Sequence, residues 1–229
     1  SHASGSWVSN SDVALAWTGS DSLSGVADYQ IDNVSQGTGT SGTFAYADGT
    51  HTITAIATDE AGNVSASLDL SDIRIDTVAP SVDSLTSSSH ASGSWVSNSD
   101  VALAWTGTDS LSGVADYQID NVSHGTNTSG TFAYADGTHT ITAIATDEAG
   151  NTGSLTLSDI QVDTVAPSVD SLTSSSHASG SWVSNSDVDL AWSSSDLTSG
   201  IADLTIDGGS QSSAGSGTFS YADGTHTIT

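Results

Sequence analysis

The sequence predicts an all-β chain of tandem sandwich domains joined by short linkers. Three observations predict it: an internal repeat of about 88 residues, apolar residues alternating with a period of two, and turn clusters separating the alternating runs. Ser1 to Asn63 aligns without a gap with Ser89 to Asn151, differing only at Ser20/Thr108, Gln36/His124 and Gly39/Asn127. A third copy begins at Ser176 and has drifted further, with Leu204 matching Tyr117 and Gly208-Gly209 matching Asn121-Val122. A one-residue change of offset falls after Asn63 and Asn151, where a surface loop tolerates deletion. This period is too long for a solenoid unit and suits a small independent domain.

Within the first repeat the elements follow in order. Asp12 to Trp17 puts Val13, Leu15 and Trp17 on one face and small Ala14 and Ala16 on the other, which is the pattern of a strand. Further strands are expected at Ala27 to Val34 on Tyr29 and Ile31, and at Gly42 to Ala47 on Phe44 and Tyr46. Two more follow at Thr50 to Thr58, on Ile53, Ala55 and Ala57, and at Leu68 to Asp76, on Leu70, Ile73 and Ile75. Asp-Gly, Ser-Gly and Ala-Gly-Asn clusters separate them, and no segment carries a helical stripe. About seven short strands in one repeat is the signature of an immunoglobulin-like sandwich, here without a disulfide because the chain has no cysteine.

Composition narrows the function. The chain has 229 residues, a formal net charge of −26 and a single basic residue, Arg74. Binding nucleic acid or an anionic membrane surface needs Lys and Arg to meet phosphates, so both are excluded as roles. The absence of cysteine removes zinc–thiolate sites and thiol catalysis. No apolar run approaches the roughly 20 residues of a membrane-spanning helix, and no signal peptide is present, so the sequence reads as a piece of something longer. The acid is almost all aspartate, 25 Asp against Glu60 and Glu148, which favours turns and hard oxygen ligands over general surface solvation. Ser and Thr number 75, yet six Trp and the regular alternation argue for a packed fold over disorder.

The motifs Trp-Val-Ser-Asn-Ser-Asp-Val, Asp-Ser-Leu-Ser-Gly-Val-Ala, Ala-Asp-Gly-Thr-His-Thr-Ile-Thr-Ala-Ile-Ala-Thr-Asp-Glu-Ala-Gly-Asn and Asp-Thr-Val-Ala-Pro recur in fixed order. In this the chain resembles the tandem bacterial Ig-like repeats of large secreted adhesins and other prokaryotic surface proteins. The resemblance implies domains that start just after each Asp-Thr-Val-Ala-Pro linker: residues 1–76, 77–163 and 164–229. On these boundaries the middle domain is complete, the first lacks its opening strand, and the third stops within its penultimate strand. Strand donation between head-to-tail copies would leave 33 residues, Ala143 to Ser175, unsupplied, which favours a window on a longer array. Donation from a different subunit stays open.

Tracing the strands alternately up and down brings the turns Asp109 to Gly113 and Asp147 to Asn151 to the end where the linker enters with Asp76. Asp76, Asp109, Asp147, Glu148 and Asn151 are therefore expected to converge at the first junction, with Asp116 nearby. Clustered carboxylates repel, and with no Lys available calcium is the expected counter-ion. The competing reading is that these residues make Asx-turns and strand-end caps with solvated charges. Two partial sites are expected, Asp163 with Asp196 at the second junction, and Asp21, Asp59, Glu60 and Asn63 in the first repeat. The twelve-residue EF-hand pattern is absent.

Other constellations are weaker. His51, His139 and His226 recur at strand starts and His2, His90 and His177 in Ser-His-Ala-Ser-Gly, without a nucleophile elbow, so strand-end structure accounts for them better than catalysis. Trp7, Trp95 and Trp182 lie in polar loop segments, where they cover a core edge or stack on sugar rings. The resulting expectation is a non-enzymatic stalk at the cell surface, a rod of calcium-stiffened repeats whose partners are the neighbouring repeats. The alternatives are a subunit self-assembling into an extracellular filament or surface layer, and a carbohydrate-binding accessory region.

Overall fold

The structure is a computed structural model and describes residues 2–229. Every regular element among the described residues is a strand, and none of them forms a helix long and apolar enough to cross a membrane. Contacts divide the chain into two compact units. One comprises Ser1–Ser87, Leu103–Gly130 and Ile141–Leu157, and the other Ser88–Ala102, Thr131–Thr140 and Ser158–Thr229.

In the first unit, the first repeat forms two sheets. One runs Trp7–Val8, Leu68–Ile75, Gly49–Asp59, Val26–Ile31, Val34–Ser35, and the other pairs Asp12–Ala16 with Ser41–Ala45. Alternation explains the layering: Val13, Ile31, Ile53, Ile73 and Ile75 point between the sheets and are buried, with Leu15, Trp17, Phe44 and Tyr46 packed against them. The expected strand over 27–34 is interrupted. Asp32 and Asn33 take φ of 47° and 66°, forming a two-residue hairpin of the kind Asx residues tolerate, and the chain returns at Val34–Ser35. Trp7 is also not in a loop: Trp7–Val8 pairs in parallel with Arg74 and Ile75.

The same unit holds one part of the second repeat. Ser81–Ser87 lies antiparallel to the Leu103–Thr108 stretch of Asp100–Thr108, and Val114–Ile119 pairs with Val122–Ser123 and with Ala143–Asp147 of Gly137–Asp147. Leu85, Leu103, Trp105, Tyr117, Ile119, Ile141, Ala143 and Ala145 are buried there. In the second unit Trp95–Val96 repeats the parallel pairing, with Gln161 and Val162. The third repeat, in that unit, sets Asp187–Ser195 between Ser168–Ser174 and Ala214–Ser220, with Leu204–Ile206 paired to Gly209–Gln211. Val188, Leu190, Trp192, Leu204 and Ile206 form its core. Trp182 lies outside any strand and is 85% exposed.

The linkers are held at their starts. Thr77 donates from its N–H and hydroxyl to Asp48 at 2.9 and 3.2 Å, and Thr164 does the same to Asp136 at 2.8 and 2.9 Å. Farther along, the Pro80 carbonyl presses so closely on Gly153 that a Cβ there would lie 1.9 Å from its oxygen.

Candidate metal centre at the first linker

Two turns and the linker build the candidate centre, all within the first unit. Asp109 opens a turn closed by Gly113, whose φ of 81° suits only glycine, and its Oδ1 accepts the N–H groups of Leu111 and Gly113 at 3.0 and 2.8 Å. Asp147 ends a long strand and opens the second turn. Its Oδ1 accepts the Asn151 N–H and its Oδ2 the Asn151 Nδ2–H, each at 2.8 Å. Asp76 continues the last strand of the first repeat, its N–H donating to the Val8 carbonyl at 3.1 Å. Its carboxylate instead turns to the second repeat: Oδ1 accepts the Val78 N–H at 3.1 Å and Oδ2 the Ser112 N–H at 2.9 Å.

One carboxylate oxygen from each of Asp76, Asp109 and Asp147 lies within 4.8 Å of the others. Asp76 has no exposed surface and Asp147 only 2%. Two unit charges at that separation repel by about 3.5 kcal/mol at an effective dielectric of 20, a repulsion that a bound cation would relieve. Arg74 does not serve, since its guanidinium pairs with Asp72 at 2.7 and 3.2 Å and stacks 5.9 Å from the Trp7 ring centroid. Burial pushes the Asp109 carboxyl up, but the N–H groups of Leu111, Gly113, Ser112 and Ser110 outweigh it and hold the group below its ordinary value. That donor shell keeps Asp109 ionised against its neighbours.

The donor set fits a hard divalent ion. Calcium takes 6 to 8 oxygens, and carboxylates from three separate elements supply the charged share. Ser112 Oγ is buried without a hydrogen-bond partner in the turn whose amide donates to Asp76, which leaves one more oxygen unsatisfied beside the cluster. Asn151 plays a bracing part: its Nδ2 also donates to the carbonyls of Asp76 at 2.8 Å and Val78 at 3.2 Å, tying linker to turn.

The other sequence-derived residues fall elsewhere. Glu148 is exposed, and its backbone N–H caps Gly113 at 3.2 Å. Asp116 braces the adjacent hairpin, accepting from Ser123 Oγ at 2.6 Å and Gly125 N–H at 2.8 Å. In the second unit Asp163 accepts Val165 and Ser199 N–H groups at 3.1 and 3.0 Å, while Asp196 accepts those of Thr198, Ser199 and Gly200. This reproduces the Asp76–Asp109 half of the centre. In the first repeat Asp21 caps Leu23, Ser24 and Gly25, and Asp59 caps Ala61 and Asn63. These are the same two turns; among the described residues no third carboxylate joins them, and Glu60 beside them is exposed.

Asp48 and Asp136, which pin the linkers, and Ser112, which holds Asp76, went unassigned from the sequence. The recurring Asp-Gly-Thr signals a turn, and nothing local reveals that its carboxylate reaches a threonine 28 or 29 positions away. The recurrent histidines bond to backbone carbonyls: His51 to Ala47 at 2.7 Å, His139 to Ala135 at 2.7 Å, and buried His90 to Asn98 at 2.8 Å.

Comparison with known proteins adds the following. Among solved structures, the fibronectin(III)-like modules of Clostridium thermocellum CbhA align at 13% identity and a TM-score of 0.35, over 69% of this chain and 90% of theirs. The Bacteroides ovatus SGBP-B, solved with a mixed-linkage heptasaccharide, aligns at 10% identity and a TM-score of 0.19, over 95% of this chain and 66% of its own. A comparison with curated proteins returned no match. Residues 126–222 match the model of the bacterial Ig-like domain (group 3) family. That segment takes in the later part of the second copy of the sequence repeat and most of the third.

Proposed function

We propose that this chain is a stalk segment of a large extracellular surface protein, an adhesin, in which calcium stiffens the joint between successive repeats. The carrying observation is the convergence of Asp76, Asp109 and Asp147 from a linker and two turns, with two of the three buried. Asp76 belongs to the first repeat through its backbone and to the second through its side chain, so whatever binds it couples the two. A calcium ion held by the three carboxylates would supply the positive charge that the chain itself lacks. Asn151, Ser112 and Asp48 position the linker around that point through bonds that need no ion. At millimolar extracellular calcium even a weak site of the extracellular class is substantially occupied.

The test is small-angle scattering with parallel thermal unfolding, first in calcium and then in chelator. The reading expects a shorter maximum dimension and a lower melting temperature on chelation, reversed by calcium but not by an equal ionic strength of sodium chloride. Identical profiles in the two buffers would leave a passive spacer.

A further inference from the structure

The first two repeats each carry an indole at the edge of a five-stranded sheet, Trp7 opposite Arg74 and Trp95 opposite Gln161. Ile73, Ile75, Ile160 and Val162, which flank Arg74 and Gln161, have no exposed surface, so by alternation Arg74, Gln161 and the indoles beside them point away from the core. The backbone around the two indoles is the same. Asp72 and Asp159 take φ of 61° and 58°, and Gly5 and Gly93 each donate an N–H to the carbonyl of that aspartate at 2.8 Å. Ser4 and Ser92 each donate a hydroxyl to the carbonyl of the preceding serine, Ser71 or Ser158, at 2.9 Å. The strands read Ser-Asp-Ile-Arg in one and Ser-Asp-Ile-Gln in the other, so a single side chain distinguishes the two places.

In the first repeat a guanidinium fills the place. Arg74 donates from Nε and Nη2 to the Asp72 carboxylate at 2.7 and 3.2 Å, and its Cζ lies 5.9 Å from the Trp7 ring centroid, within cation–π reach. In the second repeat the same place holds no cation. Gln161 is neutral, Asp159 is exposed, Trp95 is 39% exposed, and among the described residues the ion pair of Arg74 with Asp72 has no counterpart there. A Cβ on Gly5 would lie 3.3 Å from Asp72 Oδ2, whereas one on Gly93 would meet nothing within 4 Å, so the Asp159 carboxylate is not drawn over its glycine as Asp72 is.

We propose that Trp95 and Asp159 form a binding site for an arginine side chain presented by a partner protein, whose guanidinium takes the place that Arg74 occupies in the first repeat. The net charge of −26 draws a basic surface to this chain and repels an acidic one. Arginine is favoured over lysine because its planar fork pairs with a carboxylate through two N–H groups while its face stacks on an indole. Gln161 adds an amide oxygen beside the ring that accepts a further N–H. A second copy of this chain is a poor donor, since its one arginine is already engaged with Asp72 and Trp7.

The experiment titrates the full, isotope-labelled 229-residue chain with N-acetyl-arginine methylamide at low ionic strength while the indole N–H signals are followed by NMR. The Trp95 signal should shift saturably and the Trp7 signal, whose ring Arg74 already covers, should not. N-acetyl-lysine methylamide should bind about threefold more weakly or worse, and the uncharged citrulline analogue should leave Trp95 unmoved. Asp159→Asn should weaken the arginine response by about threefold or more. Gln161→Arg installs the residue with which the first repeat already folds, and should abolish the response by filling the place from within. None of these residues belongs to the candidate metal centre, so the result should be the same in calcium and in chelator. Equal shifts at Trp7 and Trp95, an equal response to the lysine probe, or a response undiminished in Gln161→Arg overturns the assignment. So does a Trp95 shift produced by a neutral oligosaccharide and not by the arginine probe.

Discussion

Replacing Asp109 by asparagine should raise stability in chelator and reduce the gain that calcium gives. The substituted amide oxygen can still accept the N–H groups of Leu111 and Gly113, so the turn is kept while one charge leaves the cluster. With chelator present, Asp109 faces Asp76 and Asp147 at 4.8 Å or less, two pairs of about 3.5 kcal/mol each at an effective dielectric of 20. Asp109 is partly open to solvent, and screening reduces that sum to about 1–3 kcal/mol. Asp109→Asn should therefore be more stable than the parent in chelator by that amount, about 4–8 °C per kcal/mol for a domain of this size. In calcium that advantage shrinks by the cost of the lost ligand. An ion at about 1,000 times its dissociation constant stabilises by ~4.1 kcal/mol, and at about 100 times by ~2.7, so a ligand loss that weakens binding 10- to 100-fold removes about 1.4–2.7 kcal/mol. The assay is differential scanning calorimetry of both proteins in saturating calcium and in chelator. If Asp109→Asn is destabilised equally in both buffers, Asp109 is a turn cap and the ion-centred reasoning fails.

Two further expectations follow from the geometry. Gly153→Ala places a Cβ against the immovable Pro80 carbonyl, so we expect a loss of about 1–3 kcal/mol together with a smaller calcium-induced gain in melting temperature; an unchanged calcium response in that variant would separate Pro80 from the centre. The second concerns acid. The Leu23, Gly25 and Ser24 N–H groups lower the Asp21 pKa, the side-chain and backbone amides of Asn63 lower that of Asp59, and the Ser123 hydroxyl lowers that of Asp116, each from 3.8. Groups whose folded pKa is depressed stabilise fully above the unfolded value and lose that contribution as pH falls through the folded one. Melting temperature in chelator should thus be level above about pH 5 and fall below about pH 4; a rise over that lower interval would contradict the assignment of these carboxylates as turn acceptors.

The sandwich was legible because alternation is local. Val13, Leu15 and Trp17 announce a face with no knowledge of what covers it, and the burial of Val101, Leu103 and Trp105 bears this out. Strand direction then brought Asp76, Asp109 and Asp147 to one end, because the up-and-down order of strands decides which loops share a pole. What stayed hidden depended on partners distant in sequence. Trp7 reads as a loop residue, since a two-residue strand has no period, and only the approach of Arg74 and Ile75 gives it hydrogen bonds. Asp32-Asn33 sits inside an apolar run that reads as one strand until its positive φ values break it. Glu148 follows Asp147 directly, yet neighbouring residues at a strand end point to opposite sides, and one is buried while the other is exposed.

The parallel pairing of Trp7–Val8 with Arg74–Ile75, repeated by Trp95–Val96 with Gln161–Val162, has a mechanical consequence. In both of these repeats a short segment lies beside the last strand and points the same way. Tension that pulls the two segments apart along their length therefore loads their hydrogen bonds together. An antiparallel terminal hairpin would instead unzip one rung at a time under far smaller force.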